Sequence, residues 1–122
     1  LKKLKMTLLE KQKVFSRLLA RLIDDLTRRG YEVTMGECWR PAEMAQIYAS
    51  TGKGIPNSNH TIRLAVDLNI FFDNVYLDSK EELEIAGELW KSYSCDLFEC
   101  CWGGDFKMID AHHFSIEHNG IR

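Results

Sequence analysis

The chain has 122 residues, 45% of them hydrophobic and only two of them proline, the size of one globular domain with enough apolar surface for its own core. Eighteen acidic and sixteen basic side chains leave a formal charge of −2, so no large single-sign field draws the chain to nucleic acid or to an anionic membrane. The longest apolar stretch, residues 18–26, is broken by Arg21, Asp24 and Asp25 and is too short and polar to span a bilayer. The start of the chain is basic, but no uninterrupted apolar run or small-residue cleavage site follows, so a secretory signal is not expected. With Leu first and Met6 five residues on, residues 1–5 are expected to be an upstream scar or disordered.

Thr7 followed by Glu10 has the form of a capping box, and Leu8, Phe15, Leu18, Leu19, Leu22, Ile23 and Leu26 recur at helical spacing. This predicts an amphipathic helix to about Arg29, with Gly30 as a left-handed cap. Tyr31, Val33 and Met35 then alternate with Glu32 and Thr34 as in a strand. Pro41 suits the first turn of a second helix running to about Ser50. Residues 51–59 carry Gly52, Gly54, Pro56 and Asn57 and read as a loop that delivers His60.

From Leu64 to Phe72 aliphatic residues alternate with Ala65, Asp67, Asn69 and Phe71, a strand with Asp67 opposite its most aliphatic face. Asp73-Asn74 marks a turn. Asp78 or Ser79 can cap a third helix, ending near Ser94, whose Leu83, Ala86, Leu89, Trp90 and Tyr93 form one stripe. Trp102-Gly103-Gly104-Asp105 reads as a tight turn, and 112–117 as a strand with His113 and Ser115 facing opposite to Phe114 and Ile116. No repeat, low-complexity tract or linker is evident, so 1–122 is expected to be a single domain.

Four cysteines, Cys38, Cys95, Cys100 and Cys101, are expected to be free and mostly buried, because no secretion signal points to an oxidising compartment. Adjacent Cys100 and Cys101 cannot both point the same way from a strand, and no CxxC knuckle is present. Histidines and carboxylates are therefore the candidate metal ligands. A catalytic zinc takes three protein ligands and leaves one position for water, and His60, Asp67 and His113 satisfy that count. Amide hydrolysis also needs a group to move the water's proton to the leaving amine; Asp110, three residues before His113, is the candidate. Arg40, at a strand-to-helix corner, could donate to the tetrahedral oxyanion.

Ser58-x-His60-x6-Asp67 followed by Asp110-x-x-His113-Phe114 resembles the SxHxxGxAxD and (D/E)xxH(F/W) motif pair of the LAS metallopeptidases. These include D-alanyl-D-alanine carboxypeptidases, D,D-dipeptidases and the L-alanyl-D-glutamate peptidases used by bacteriophages as endolysins. The likeness extends to Cys38-Trp39-Arg40-Pro41-Ala42-Glu43, to Ala65 and to Trp102-Gly103-Gly104-Asp105, covering roughly Gly30 to Glu117. It implies one zinc ion on His60, Asp67 and His113, Asp110 as general base, Arg40 as stabiliser of the intermediate, and Ser58 in contact with substrate.

The fold implied is α+β, of the LAS and hedgehog-like peptidase type: helices on one side of a small antiparallel sheet, a zinc cleft on the other. The Asp at 110 and the tryptophan-glycine run look most like the phage endolysin branch. That branch implies a peptidoglycan stem-peptide substrate and a protein held in the bacterial cytoplasm until another opens the membrane; no membrane insertion is expected, and of the oligomeric states, which the sequence does not give, a monomer is favoured. No separate wall-binding module is seen. Competing readings are a D-Ala-D-Ala carboxypeptidase or dipeptidase and an inactive zinc-containing wall-binding domain.

The motif's usual glycine falls at Arg63, where an arginine could narrow the cleft or alter substrate choice. Plainer roles exist for each residue. His112 reads as an ordinary surface or core histidine, and Asp110 could instead orient an imidazole. Arg40 could be a salt-bridge residue and Ser58 could simply close its loop. Trp39, Trp90 and Trp102 read as core or cleft wall, and Asp105 as either substrate contact or turn.

Overall fold

Helix α1 (Leu8–Arg28) begins at Thr7, whose Oγ1 accepts from the Glu10 amide at 3.2 Å while Glu10 Oε1 accepts from the Thr7 amide at 2.9 Å. This reciprocal cap satisfies two donors that the helix cannot satisfy itself. The computed structural model describes residues 5–122, so the expectation for residues 1–5 falls outside the described residues except at Lys5. The inward face of α1 buries Val14, Phe15, Leu22 and Leu26. Gly30, with φ at +90°, then turns the chain into strand β1 (Tyr31–Met35). Helix α2 (Ala42–Ser50) follows Pro41.

The long strand β2 (Ala65–Phe72) organises the sheet. Strand β1 runs antiparallel along one edge, from Tyr31 opposite Phe72 to Met35 opposite Leu68. Along the other edge a turn with positive φ at Asp73 and Asn74 returns the chain as β3 (Val75–Leu77), paired with 70–72. Such a two-residue turn matches the twist of a hairpin. Helix α3 (Glu84–Ser92) is preceded by a cap in which Ser79 and Glu82 exchange side-chain-to-amide bonds. Strand β4 (Cys100–Trp102) pairs with β5 (His113–Ile116), and β5 pairs with the first three residues of β2.

Helices α1 and α3 cover one face. Phe15, Leu22, Leu26 and Trp90 pack against Val66, Leu68, Ile70, Phe114 and Ile116, most of them with no exposure at all. Trp90 meets Phe15 and Phe114 edge-on at 5.7 and 6.2 Å, and its Nε1 donates to the Ser115 carbonyl at 2.9 Å, fixing α3 to β5. Truncating such a side chain to alanine costs about 3–5 kcal/mol. The alternation that sends Val66 and Phe114 into this core sends Asp67 and His113 to the opposite face.

The expected α+β architecture is the one observed, with two refinements. Helix α2 stands outside the two-helix layer, with Ala45 as its one buried residue. Strands β3 and β4, three residues each, were not separable from turns by pattern, because so short a run shows no period. No helix among the described residues is long and apolar enough to cross a membrane.

The cysteines are all free, but only Cys100 and Cys101 are buried; Cys38 and Cys95 are exposed. Leading to opposite faces of β4, Cys100 and Cys101 are both desolvated, which pushes their thiols up to about 12 and about 11. In the native protein at pH 8, iodoacetamide should therefore modify Cys95 and Cys38 and leave Cys100 and Cys101 until urea is added. Peptide mass mapping reads this directly, and native labelling of Cys100 would contradict the packing.

Candidate functional site

Asp67 and His113 are register partners across β2 and β5, so their side chains rise side by side from the face that the helices leave uncovered. His60 reaches them from a 3-10 turn over Asn59–Ile62. Ser58 caps that turn by accepting from the His60 amide at 3.1 Å, and Thr61 Oγ1 donates to the Ser58 carbonyl at 2.6 Å. Asn59 is buried to 1% exposure, and its side-chain amide donates to the carbonyls of Ile116 and Ile121 at 2.9 Å each. The turn is thereby tied to the sheet. It ends at Arg63 with φ 60° and ψ 36°, the left-handed conformation that favours glycine.

The six residues singled out by sequence all line one cleft of about 400 Å³: Arg40, Ser58, His60, Asp67, Asp110 and His113. A shallower depression of about 520 Å³ between Arg29 and α3 holds none of them. Arg63 does not line the cleft. Its guanidinium lies over the Trp39 ring at 4.6 Å on the exposed surface, so it does not narrow the cleft as expected. Its backbone alone meets the requirement that glycine normally serves.

Asp67 Oδ1 lies 3.4 Å from His60 Nε2 and 3.8 Å from His113 Nδ1, and one ligand atom from each residue falls within 4.8 Å of the others. Ligands about 2.1 Å from a tetrahedral zinc stand roughly 3.4 Å apart, close to these separations. Asp67 Oδ1 is buried yet has no hydrogen-bond partner, as is His113 Nε2. An unpartnered buried carboxylate oxygen between two imidazoles is costly unless a cation completes it. Two imidazoles and one carboxylate are a donor set that fits a metal ion.

The protonation state of His113 favours the same use. Burial, and then the neighbouring His60, hold the His113 imidazole down to about 4, so it is neutral with a free lone pair near pH 7. Burial also opposes a charge on His60, but the adjacent Asp67 carboxylate and the Cys38 carbonyl outweigh it and move His60 above its ordinary value. His60 Nδ1 is 3.2 Å from the Cys38 carbonyl. Donation to that oxygen leaves Nε2 as the ligand atom facing Asp67.

Residues 36–40 brace this face. The Gly36 amide donates to the Asp67 carbonyl and the Asp67 amide to the Glu37 carbonyl, both at 2.8 Å, and the Arg40 amide donates to the His60 carbonyl at 3.0 Å. A Cβ on Gly36 would stand 2.8 Å from the Asp67 carbonyl oxygen, so only glycine fits the approach. The Arg40 side chain, 9% exposed, is held by Glu37 Oε1, which accepts from Nε at 2.8 Å and also from Nη2, and it lies over Tyr48 at 4.9 Å. Arg40 is thus both paired and in the cleft.

The tryptophan-glycine run sets the second motif. Trp102 Nε1 donates to the Ala111 carbonyl at 2.8 Å, and the Gly103 carbonyl accepts from the Asp110 amide at 2.9 Å. The His113 amide donates to the Asp110 carbonyl at 3.0 Å. This compact loop places the Asp110 carboxyl on the cleft wall. It remains open to solvent, yet the protein around it and then the Asp67 charge raise its pKa, with His112, His60 and Arg40 opposing. His112 turns away: it stacks on Tyr76, with Nδ1 3.0 Å from the Leu68 carbonyl and Nε2 3.1 Å from Asp78. Asp105 pairs with Lys91 at 2.7 Å.

Several contributors were not legible in the sequence. The Cys38 carbonyl acts through backbone, which residue type does not reveal, Gly36 acts by fit, and Asn59 acts by bonds to carbonyls distant in sequence. Lys53, Phe106 and Arg122 also line the cleft.

Residues 51–116 match a family model described as D-alanyl-D-alanine carboxypeptidase. No curated protein matches the chain by sequence. Among solved structures the fold is similar to that of the L-Ala D-Glu endopeptidase ChiX of Serratia marcescens, with a TM-score of 0.62 at 18% identity, over 93% of this chain and 90% of that one.

Two outcomes follow for the site. A Cβ at Gly103 would fall 1.9 Å from the Asp110 carbonyl oxygen and 2.9 Å from the His113 Cβ; Gly103→Ala should cost more than about 2 kcal/mol in urea unfolding and weaken metal binding, and an unchanged midpoint and affinity would contradict the fit. For His113 the folded chain resists protonation down to about 4 while the unfolded chain protonates near 6.5. The stability supplied by neutral His113, on the order of 3 kcal/mol, is complete above pH 6.5 and is lost as pH falls towards 4. Metal-free wild type should lose more stability over this window than metal-free His113→Asn; parallel losses would contradict it.

Proposed function

We propose that this chain, which belongs to the D-alanyl-D-alanine carboxypeptidase family and is a metal-dependent peptidase, uses zinc to cut peptidoglycan stem peptides between L-Ala and D-Glu. The observation that carries the reading is the convergence of His60, Asp67 and His113 in one cleft with Asp110 and Arg40. A zinc ion on the three ligands would supply a Lewis acid for the scissile carbonyl and an acidified water. Asp110 takes the proton of the attacking water and returns it to the departing amine. In the metal-free chain the surrounding protein, and then the Asp67 charge, raise the pKa of Asp110 above that of an ordinary carboxylate, the direction a base needs. Arg40, its orientation fixed by Glu37 and Tyr48, donates to the oxygen that becomes negative. Ser58 lines the same cleft and is assigned a contact with the substrate.

The choice of bond draws on the endopeptidase whose fold this chain shares; the family description favours removal of terminal D-Ala as the second reading. A lytic role of the phage endolysin kind is supported by Asp at 110 and by the Trp102–Gly104 run. In that role the protein is made in the bacterial cytoplasm and meets the wall once the membrane has been opened. The alternative of an inactive wall-binding module drew on Arg63, whose side chain lies over Trp39 and does not line the cleft, so the site gives that alternative no added support.

Wild-type protein with zinc should release new amino groups from purified peptidoglycan, and chelation should abolish the release. Asp110→Asn should keep its zinc and lose about 10²–10⁴-fold in turnover. Release of terminal D-Ala alone from defined muropeptides would replace the endopeptidase reading. Zinc-bound wild type that releases nothing would end the peptidase reading itself.

A further inference from the structure

Two cations in the cleft are left unused by this chemistry. Lys53 comes from the 51–59 loop and Arg122 from the segment after β5, and both line the cleft with His60, Asp67 and His113. The Lys53 amide is tied to the Tyr48 carbonyl at 2.8 Å, so the base of the loop is fixed. Its ammonium has no hydrogen bond or ion pair among the described residues. Arg122 lies over the Phe106 ring at 5.2 Å, and Phe106 packs on the His113 ring at 5.3 Å. No carboxylate pairs with Arg122 among the described residues. The third cation, Arg40, is held by Glu37 and already has its part in the chemistry at the oxyanion.

The carboxylates of the cleft, Asp67 and Asp110, are both committed, one between the imidazoles and one to proton transfer. Ile55, Met108 and Ile109, exposed at 58%, 86% and 62%, form apolar walls beside the cations. Positive charge left uncompensated at the mouth of a cleft draws an anion to it. We propose that Lys53 and Arg122 select peptides that carry a free carboxylate beside the scissile amide, and discriminate against the same peptides with that carboxylate amidated. The proposal rests on the peptidase reading and deepens it. In a peptide cut between L-Ala and D-Glu, the α-carboxylate sits on the carbon bearing the scissile nitrogen, so its amidation removes one charge at the reacting centre and little volume.

The test compares a defined stem peptide containing L-Ala-γ-D-Glu with its D-isoglutamine counterpart, using zinc-loaded protein. Wild type should favour the free acid by about tenfold in kcat/KM at low ionic strength, chiefly through KM, and the preference should shrink with added salt. Lys53→Gln combined with Arg122→Gln should bring the ratio to within about twofold. Binding of both peptides to zinc-loaded Asp110→Asn, measured by calorimetry, reads the same selectivity without turnover. Equal rates on both peptides, or a preference that survives the double substitution, would overturn the roles of Lys53 and Arg122 and leave the peptidase reading intact. If wild type cuts neither peptide the peptidase reading fails, and calorimetry still decides the selectivity: tighter binding of the free acid that the double substitution abolishes supports it, and equal or no binding overturns it.

Discussion

The pairing of Asp67 with His113 across β2 and β5 is the constraint on which the site depends. In an antiparallel ladder, direct partners on one face stand about 5 Å apart, near enough for both to touch one ion. The same register sets Val66 against Phe114 on the other face, where both are fully buried under α1 and α3. A slip of β5 by one residue would turn His113 into the apolar core and expose Phe114. Hydrophobic burial therefore holds the geometry of the polar face. The helices take no direct part in the chemistry, yet they fix its most important distance.

Around that pair the remaining groups are held mainly by backbone. Gly36 and Glu37 bond to both backbone groups of Asp67, the Arg40 amide bonds to His60, and the Cys38 carbonyl orients the His60 ring. On the other side Trp102 and Gly103 bind the loop from Asp110 to His113. Trp102 itself is seated by absence of side chains: a Cβ at Gly87 or Gly104 would stand 2.1 or 2.3 Å from its indole. A site built this way needs little rearrangement to act, since donors and ligands are already oriented by bonds that do not involve substrate. What is free to respond to substrate is the outer wall, with Lys53, Arg122 and the exposed apolar side chains.

The legible part of this design was the part written in residue type and spacing. Helix α1 followed from a capping box and a 3.6-residue stripe, and β2 from strict alternation, which also placed Asp67 opposite the core. The six site residues came from motif order and ligand count, and all six line one cleft. Elements shorter than one period, β3, β4 and the 3-10 turn at Asn59, left no signal. Arg63 shows the limit of reading a position by its side chain. The left-handed backbone was what mattered there, and the guanidinium left the cleft for the Trp39 ring. The burial of Cys100 and Cys101, but not of Cys38 and Cys95, was set by which of them lie on a covered strand.

The chemistry depends on His60, Asp67 and His113 jointly holding one metal ion. Its most direct test is zinc content and affinity, by elemental analysis and competition with a chromogenic chelator, for wild type and for His60→Ala, Asp67→Ala and His113→Ala, each checked for native folding by circular dichroism. One zinc per wild-type chain is expected, with a large loss of affinity in each variant while the fold persists. Stoichiometric zinc retained by any folded single variant with undiminished affinity, or no zinc bound by the wild type, would contradict it.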